Sequence, residues 1–250
     1  MKPFELLAHA QSPDGTAIEL KRRDDEYVIL AGGRHLMSSR THASEESLAA
    51  FGCRHITASP QLTAKNQPTS YRPTILIGGL GMGYTLRAAL DLLPPRASVI
   101  VAELIPEIVD WNRGPLAHLA ANPLADPRVR IEIVDVAALL SRPAKAANSA
   151  RAAQADRPAP LPEFDSILLD VDNAPAAFTD SANAHLYSPS GLAAAHASLT
   201  PGGTLALWSA HEDRQFTHRL RAANFTVHLE HTRAHANKGP RHTIYLAQKS

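Results

Sequence analysis

Gly78, Gly79, Gly81 and Gly83 stand in Ile75-Leu-Ile-Gly-Gly-Leu-Gly-Met-Gly83, directly after an apolar run and before a helical pattern. Glycines there let the backbone turn tightly and approach a ligand, while the start of the helix offers free amide donors. The spacing Gly79-x-Gly81-x-Gly83 departs from the Gly-x-Gly-x-x-Gly of dinucleotide-binding turns. Glu103 closes the next apolar run, Val99-Ile-Val-Ala-Glu103, where a carboxylate can accept both hydroxyls of a ribose. Asp135 closes Ile131-Glu-Ile-Val-Asp135 and can meet an adenine edge, with Val136 and Ala137 beside it. A further run ends in Leu168-Leu-Asp170-Val-Asp172-Asn173-Ala-Pro175. Carboxylates there could receive an amine proton, steer a cation, or attract a sulfonium donor. The plainer alternatives are solvated strand ends and Asp/Asn turns that cap their own backbone.

These residues need a scaffold that brings strand ends to one edge. Strands are expected at Thr74 to Ile77, Ser98 to Ala102, Arg130 to Val134, Ser166 to Leu169, Thr204 to Trp208, Thr226 to Glu230 and Thr243 to Ala247. Helical patterns cover Tyr84 to Leu93, Pro106 to Leu119, Val136 to Leu140 and Ser190 to Leu199. Such alternation requires right-handed crossovers. The fold class is therefore α/β: a Rossmann-like, doubly wound, mostly parallel seven-stranded sheet with an antiparallel last strand.

Residues 1–67 are expected to form a small β-rich domain with a short helix and a linker, and residues 68–250 the Rossmann-like domain. The first part offers strands at Ala17 to Leu20 and Tyr27 to Leu30, with turns at Pro13-Asp-Gly15 and Gly32-Gly33. Ser44-Glu45-Glu46-Ser47 precedes Leu48 in a helix-capping pattern. Pro143 to Pro162 lacks apolar periodicity and is expected to be a solvated insertion, with a substrate-gating or partner-binding loop as the alternative.

Lys and Arg total 25 against 24 acidic residues, so no broad field selects nucleic acid or an anionic membrane, and a small-molecule acceptor is expected. The one cysteine, Cys53, excludes an internal disulfide. With no apolar stretch of signal-peptide or membrane-spanning length, the expected location is the cytoplasm. Among the 13 histidines, His228, His231, His235 and His242 lack metal-ligand spacing on one element, and no metal is expected.

The order of elements from Ile75 to Leu246 resembles class I S-adenosylmethionine-dependent methyltransferases. Leu168 to Pro175, Asn183-Ala-His-Leu-Tyr187 and Leu199-Thr-Pro-Gly-Gly203 resemble the spermidine synthase branch. The resemblance implies S-adenosylmethionine or its decarboxylated form as cofactor. It puts Glu103 on the ribose, Asp135 on the adenine side, Asp170 beside the reacting amine, Tyr187 as the aromatic after the catalytic loop, and a homodimer as the assembly. His42, Ser44, Glu45 and Glu46 could complete the acceptor pocket: Glu46 is the loose match to an acceptor-facing acid, with helix capping as its equal alternative, and capping is favoured for Ser44 and Glu45. Two departures stand out. Gly81 replaces an aspartate of the family's glycine loop, and Asn173 replaces its second catalytic-loop aspartate, with Asp172 one place earlier.

An ammonium ion buried without a counter-charge is costly. The departures therefore place methyl transfer to a small acceptor slightly ahead of aminopropyl transfer to a polyamine-like amine. Asp170 or Asp172 would act as base, with Asn173 and Tyr187 facing the acceptor. A non-catalytic nucleoside-binding protein is the second class, and a nicotinamide oxidoreductase is disfavoured by the glycine spacing.

Overall fold

The computed structural model describes residues 2–59, 71–142, 161–170, 185–235 and 238–250. Four strands form an antiparallel sheet in chain order: β1 (Glu5–Gln11), β2 (Ala17–Arg23), β3 (Glu26–Ala31) and β4 (Arg34–Ser38). The expected strands lie within β2 and β3, while β1 and β4 add to them. Gly32 and Gly33 take φ of 55° and 75° between β3 and β4, a turn that favours glycine at both places. Ile18, Leu20 and Ile29 of this sheet share one core with Ile75, Ile77, Val99 and Val101.

The second sheet has seven strands in the order β10-β11-β9-β8-β5-β6-β7. They are β5 (Thr74–Gly78), β6 (Ser98–Glu103), β7 (Val129–Ile133), β8 (Phe164–Leu169), β9 (Leu199–Ser209), β10 (Phe225–His235) and β11 (Lys238–Lys249). The strands from β7 through β9 pair in parallel, whereas β11 runs antiparallel to both β9 and β10. This is the α/β class read from the sequence. Ile75, Leu76 and Ile77 of β5 are all fully buried, as expected for a central strand covered on both faces.

The helices are α1 (Ala43–Gly52), α2 (Arg54–Thr57), α3 (Tyr84–Leu92), α4 (Pro106–Arg113), α5 (Val136–Leu140), α6 (Pro189–Ser198) and α7 (Arg214–Ala222). The helix expected over Pro106 to Leu119 stops at Arg113, because Gly114 precedes Pro115 and the residue before a proline is pushed out of the helical region. β9 begins at Leu199 instead of Thr204, crossing Pro201-Gly-Gly203 with an irregular register against β8. α7 is an addition, capped by Asp213, whose Oδ1 accepts from the amides of Gln215 and Phe216.

α1 positions the site. Its buried face consists of Ser44, Glu45, Leu48, Ala49 and Gly52. A Cβ on Gly52 would collide with Leu168 Cδ2 and stand 3.0 Å from Ala206 Cβ, so glycine lets the helix lie directly on β8 and β9. The Ser166 hydroxyl fastens it there, donating to the Gly52 carbonyl at 3.0 Å. Its first turn carries no side-chain cap bond, so Ser44, Glu45 and Glu46 do not fulfil the expected capping pattern.

Candidate functional site

The carboxyl ends of β5, β6, β7 and β8 meet beneath the small sheet around a cavity of about 170 Å³. Gly79, Gly81, Glu103, Asp135 and Asp170 line one side, and Ile18, Ile29, Leu36 and Met37 roof the other. Open α/β sheets bind ligands at this edge. Gly79 and Gly81 have φ of 87° and 52°. A Cβ on Gly81 would come within 2.6 Å of Met37 Sδ, so glycine admits that thioether over the loop. Gly78 lies beneath the cavity instead of on its wall, where a Cβ would stand 2.8 Å from Leu169 Cδ2. Gly83 caps α3 in the left-handed conformation.

Glu103 is 5% exposed. Its Oε2 accepts from the Leu80 amide at 2.8 Å and its Oε1 from the Ile105 amide at 2.9 Å. Burial raises its pKa, and the amide hydrogen bonds oppose that rise. The loop amides are thus largely committed: Leu80 to Glu103, Gly79 to the Ala102 carbonyl, and Gly83 to the Leu80 carbonyl. Asn112, fully buried on α4, adds a second fastening by donating from Nδ2 to the carbonyls of Gly81 and Ile108 at 2.8 and 2.9 Å. Asp135 caps α5 through the Ala137 amide at 2.8 Å and still reaches the cavity wall.

Asp170 also lines a second cavity of about 160 Å³, together with Ser38, Ser44, Glu45, Trp208 and His242. Thr85 on α3 donates to Asp170 Oδ2 at 2.7 Å. The Ser44 hydroxyl donates to Glu45 Oε2 at 2.6 Å. Burial pushes Glu45 up to about 7, the negative charge of Asp170 adds to this, and the Ser44 hydrogen bond opposes it. Burial likewise raises Asp170, against the Thr85 hydrogen bond.

Several sequence-based assignments fall elsewhere. Glu46 lies outside the buried face of α1, half-exposed and bonded to His42 Nδ1 at 2.8 Å, and lines neither cavity; the acid that turns inward is Glu45. Tyr187 is buried beneath α7, edge-on to Phe216 with centroids 5.6 Å apart, and is not on either wall. Asp172, Asn173 and Asn183 lie outside the described residues, as does Pro143 to Pro162 apart from its last two positions. Glu45 and Ser44, for which the sequence favours helix capping over the acceptor pocket, line the second cavity, and Thr85, Asn112 and Met37 are additions to the site. Among the described residues there is no group of three or more His, Cys, Asp or Glu that could hold a metal ion. None of their helices is long and apolar enough to cross a membrane.

No protein-family model and no curated protein matches this chain. Solved structures do. A spermidine synthase in complex with the transition-state analogue AdoDATO matches with a TM-score of 0.61 at 18% identity, covering 98% of this chain and 72% of that one. Spermidine synthase from Thermotoga maritima matches with a TM-score of 0.61 at 19% identity, over 98% of this chain and 73% of that one. A probable spermidine synthase from Corynebacterium glutamicum gives 0.56 at 17% identity, over 100% and 81%. The chain has a spermidine synthase-like fold.

Proposed function

We propose that this chain is a spermidine synthase-like aminopropyltransferase, with decarboxylated S-adenosylmethionine as donor and a small amine as acceptor. The supporting observation is the charge of the donor cavity. Its wall carries Glu103, Asp135 and Asp170 and, among the described residues, no Lys, Arg or His. The loop amides that could hold an anion are largely spent on Glu103 and on backbone carbonyls. Intact S-adenosylmethionine would bring a carboxylate with no side-chain cation to pair it, which is costly in a buried site. The decarboxylated donor brings only positive charge, a sulfonium and an ammonium, to a wall whose charged side chains are all acidic.

This reverses the order of the two reactions drawn from the sequence. The sequence favours methyl transfer because Gly81 and Asn173 leave an amine without acidic partners; Glu45, turned inward beside Asp170, answers that objection. Neither the fold neighbours nor the cavity charge supports methyl transfer. On this reading the glycine turn and Glu103 seat the adenosyl ribose, Asp135 takes the adenine side, and Asp170 stands between donor and acceptor. Catalysis then comes from aligning the amine with the carbon next to sulfur.

The test is product identification by mass spectrometry, with each donor offered to a panel of diamines and monoamines. Methylthioadenosine and an aminopropylated amine are expected from the decarboxylated donor. Formation of S-adenosylhomocysteine and a methylated product from the intact donor would restore methyl transfer. Binding of methylthioadenosine with no turnover of either donor would leave a nucleoside-binding protein.

A further inference from the structure

Asp170 is not the sole acid on the wall of the second cavity. Glu45 enters from the first turn of α1 and is 8% exposed, and Asp170 enters from the end of β8. Each has one oxygen engaged by a hydroxyl, Ser44 for Glu45 and Thr85 for Asp170. Thr85 also lies against the first turn of α1, its Oγ1 3.5 Å from the main-chain carbonyl of Glu45. Among the described residues no Lys or Arg lines this cavity. Two buried carboxylates without a counter-ion resist full ionisation, because desolvation and mutual repulsion both oppose the second charge. A buried acid pair of this kind is a receptor for a cation that can give up a proton.

We infer that Glu45 is a second catalytic carboxylate, which with Asp170 binds the acceptor's ammonium group and takes its proton. The inference rests on the aminopropyl-transfer reading. One proton passes from the bound ammonium to the pair, which frees the nitrogen lone pair. That lone pair forms the bond to the aminopropyl carbon, and the carbon–sulfur bonding pair leaves with sulfur, which becomes a neutral thioether. The product departs as a secondary ammonium, and the proton on the pair passes to solvent.

The groups facing Glu45 are Asp170, Tyr84 and Thr85 from neighbouring elements, Ser44 and Glu46 beside it, and His35 and His242 across the cavity. Burial lowers the pKa of His242, so it stays neutral and leaves the acid pair uncompensated. The raised ionisation of Glu45, to about 7, agrees with a proton held until an amine arrives.

The test is calorimetric titration of putrescine into protein saturated with methylthioadenosine, in buffers of different ionisation enthalpy, at about pH 6.5 where the pair retains its proton. The wild type should release roughly one proton for each amine bound. Glu45→Gln should lose most of that release and weaken putrescine binding, with methylthioadenosine affinity retained, and Glu45→Asp should restore part of it. Acceptor kcat/KM should fall by about 10²-fold or more in Glu45→Gln. Unchanged proton release in Glu45→Gln would overturn the assignment, as would Glu46→Gln producing the loss instead. The proton count needs no turnover. Failure of the transfer assay with normal amine-linked proton release would defeat the reaction and keep the acid pair, whereas absence of amine binding would defeat the pair itself.

Discussion

Replacing Glu45 with Gln should stabilise the unliganded protein at alkaline pH, and the size of the gain follows from the site. The folded-state pKa of Glu45 is about 7 against an ordinary value of 4.5. Because the folded value is the higher one, the protonated side chain contributes stability that is complete below about 4.5 and is lost as pH rises through about 7. A displacement of that size, at about 1.4 kcal/mol per pKa unit, amounts to about 3 kcal/mol of stability missing above the window. Gln has the same shape and no proton to lose, so it keeps that stability. Glu103 is raised in both proteins and cancels in the comparison, while Asp170, relieved of its charged neighbour, ionises more readily in the variant. Urea unfolding at about pH 4 and about pH 8 should therefore give similar free energies at the lower pH and a Gln advantage approaching about 3 kcal/mol at the higher. In thermal unfolding this is roughly 6–12 °C for a chain of this length. A variant no more stable than wild type at the higher pH, or equally favoured at both, would refute the claim that Glu45 is buried beside Asp170.

Two further substitutions probe the supports of the site. Thr85→Val removes the hydroxyl that lowers the Asp170 pKa, so the ascending limb of acceptor kcat/KM should move to higher pH, with Thr85→Ser restoring it; an unmoved limb would mean that Thr85 does not govern Asp170. Asn112→Ala leaves the buried Gly81 and Ile108 carbonyls without that donor and should cost about 1–3 kcal/mol in urea unfolding while weakening methylthioadenosine binding, whereas intact binding would show that the glycine loop holds its shape unaided.

The parallel sheet was legible because β5, β6 and β8 are short apolar runs bounded by glycine or acidic residues, a pattern with few other meanings. α7 was not, since Arg214-Gln-Phe-Thr-His-Arg-Leu-Arg-Ala222 shows only Phe216 and Leu220 as large apolar residues, a stripe too narrow to stand out from a loop. β1 alternates weakly and buries only Ala10, as suits the edge of a small sheet. In the site, the glycine turn and the strand-end acids followed from the fold, but the choice between Glu45 and Glu46 depended on how α1 is rotated. Adjacent helical residues point about 100° apart. The signal was nevertheless present: Glu45 shares the i, i+3, i+4, i+7 face with Leu48, Ala49 and Gly52, and Glu46 does not. Thr85 and Asn112 act through contacts across the chain, with Asp170 and with Gly81, and local spacing does not reveal such pairs.

Asp170 belongs to the walls of both cavities. Under the proposed chemistry each substrate arrives as a cation, so one carboxylate serves two guests as a common counter-ion. Whatever free energy the first guest takes from the second, the second takes from the first, so competition for Asp170 is reciprocal and independent of the order of arrival. Transfer ends the contest, because the spent donor is an uncharged thioether with no further claim on the carboxylate. Amine would then weaken the hold on the charged donor and leave the hold on the thioether unchanged, so product inhibition by the thioether should strengthen as the concentration of amine rises.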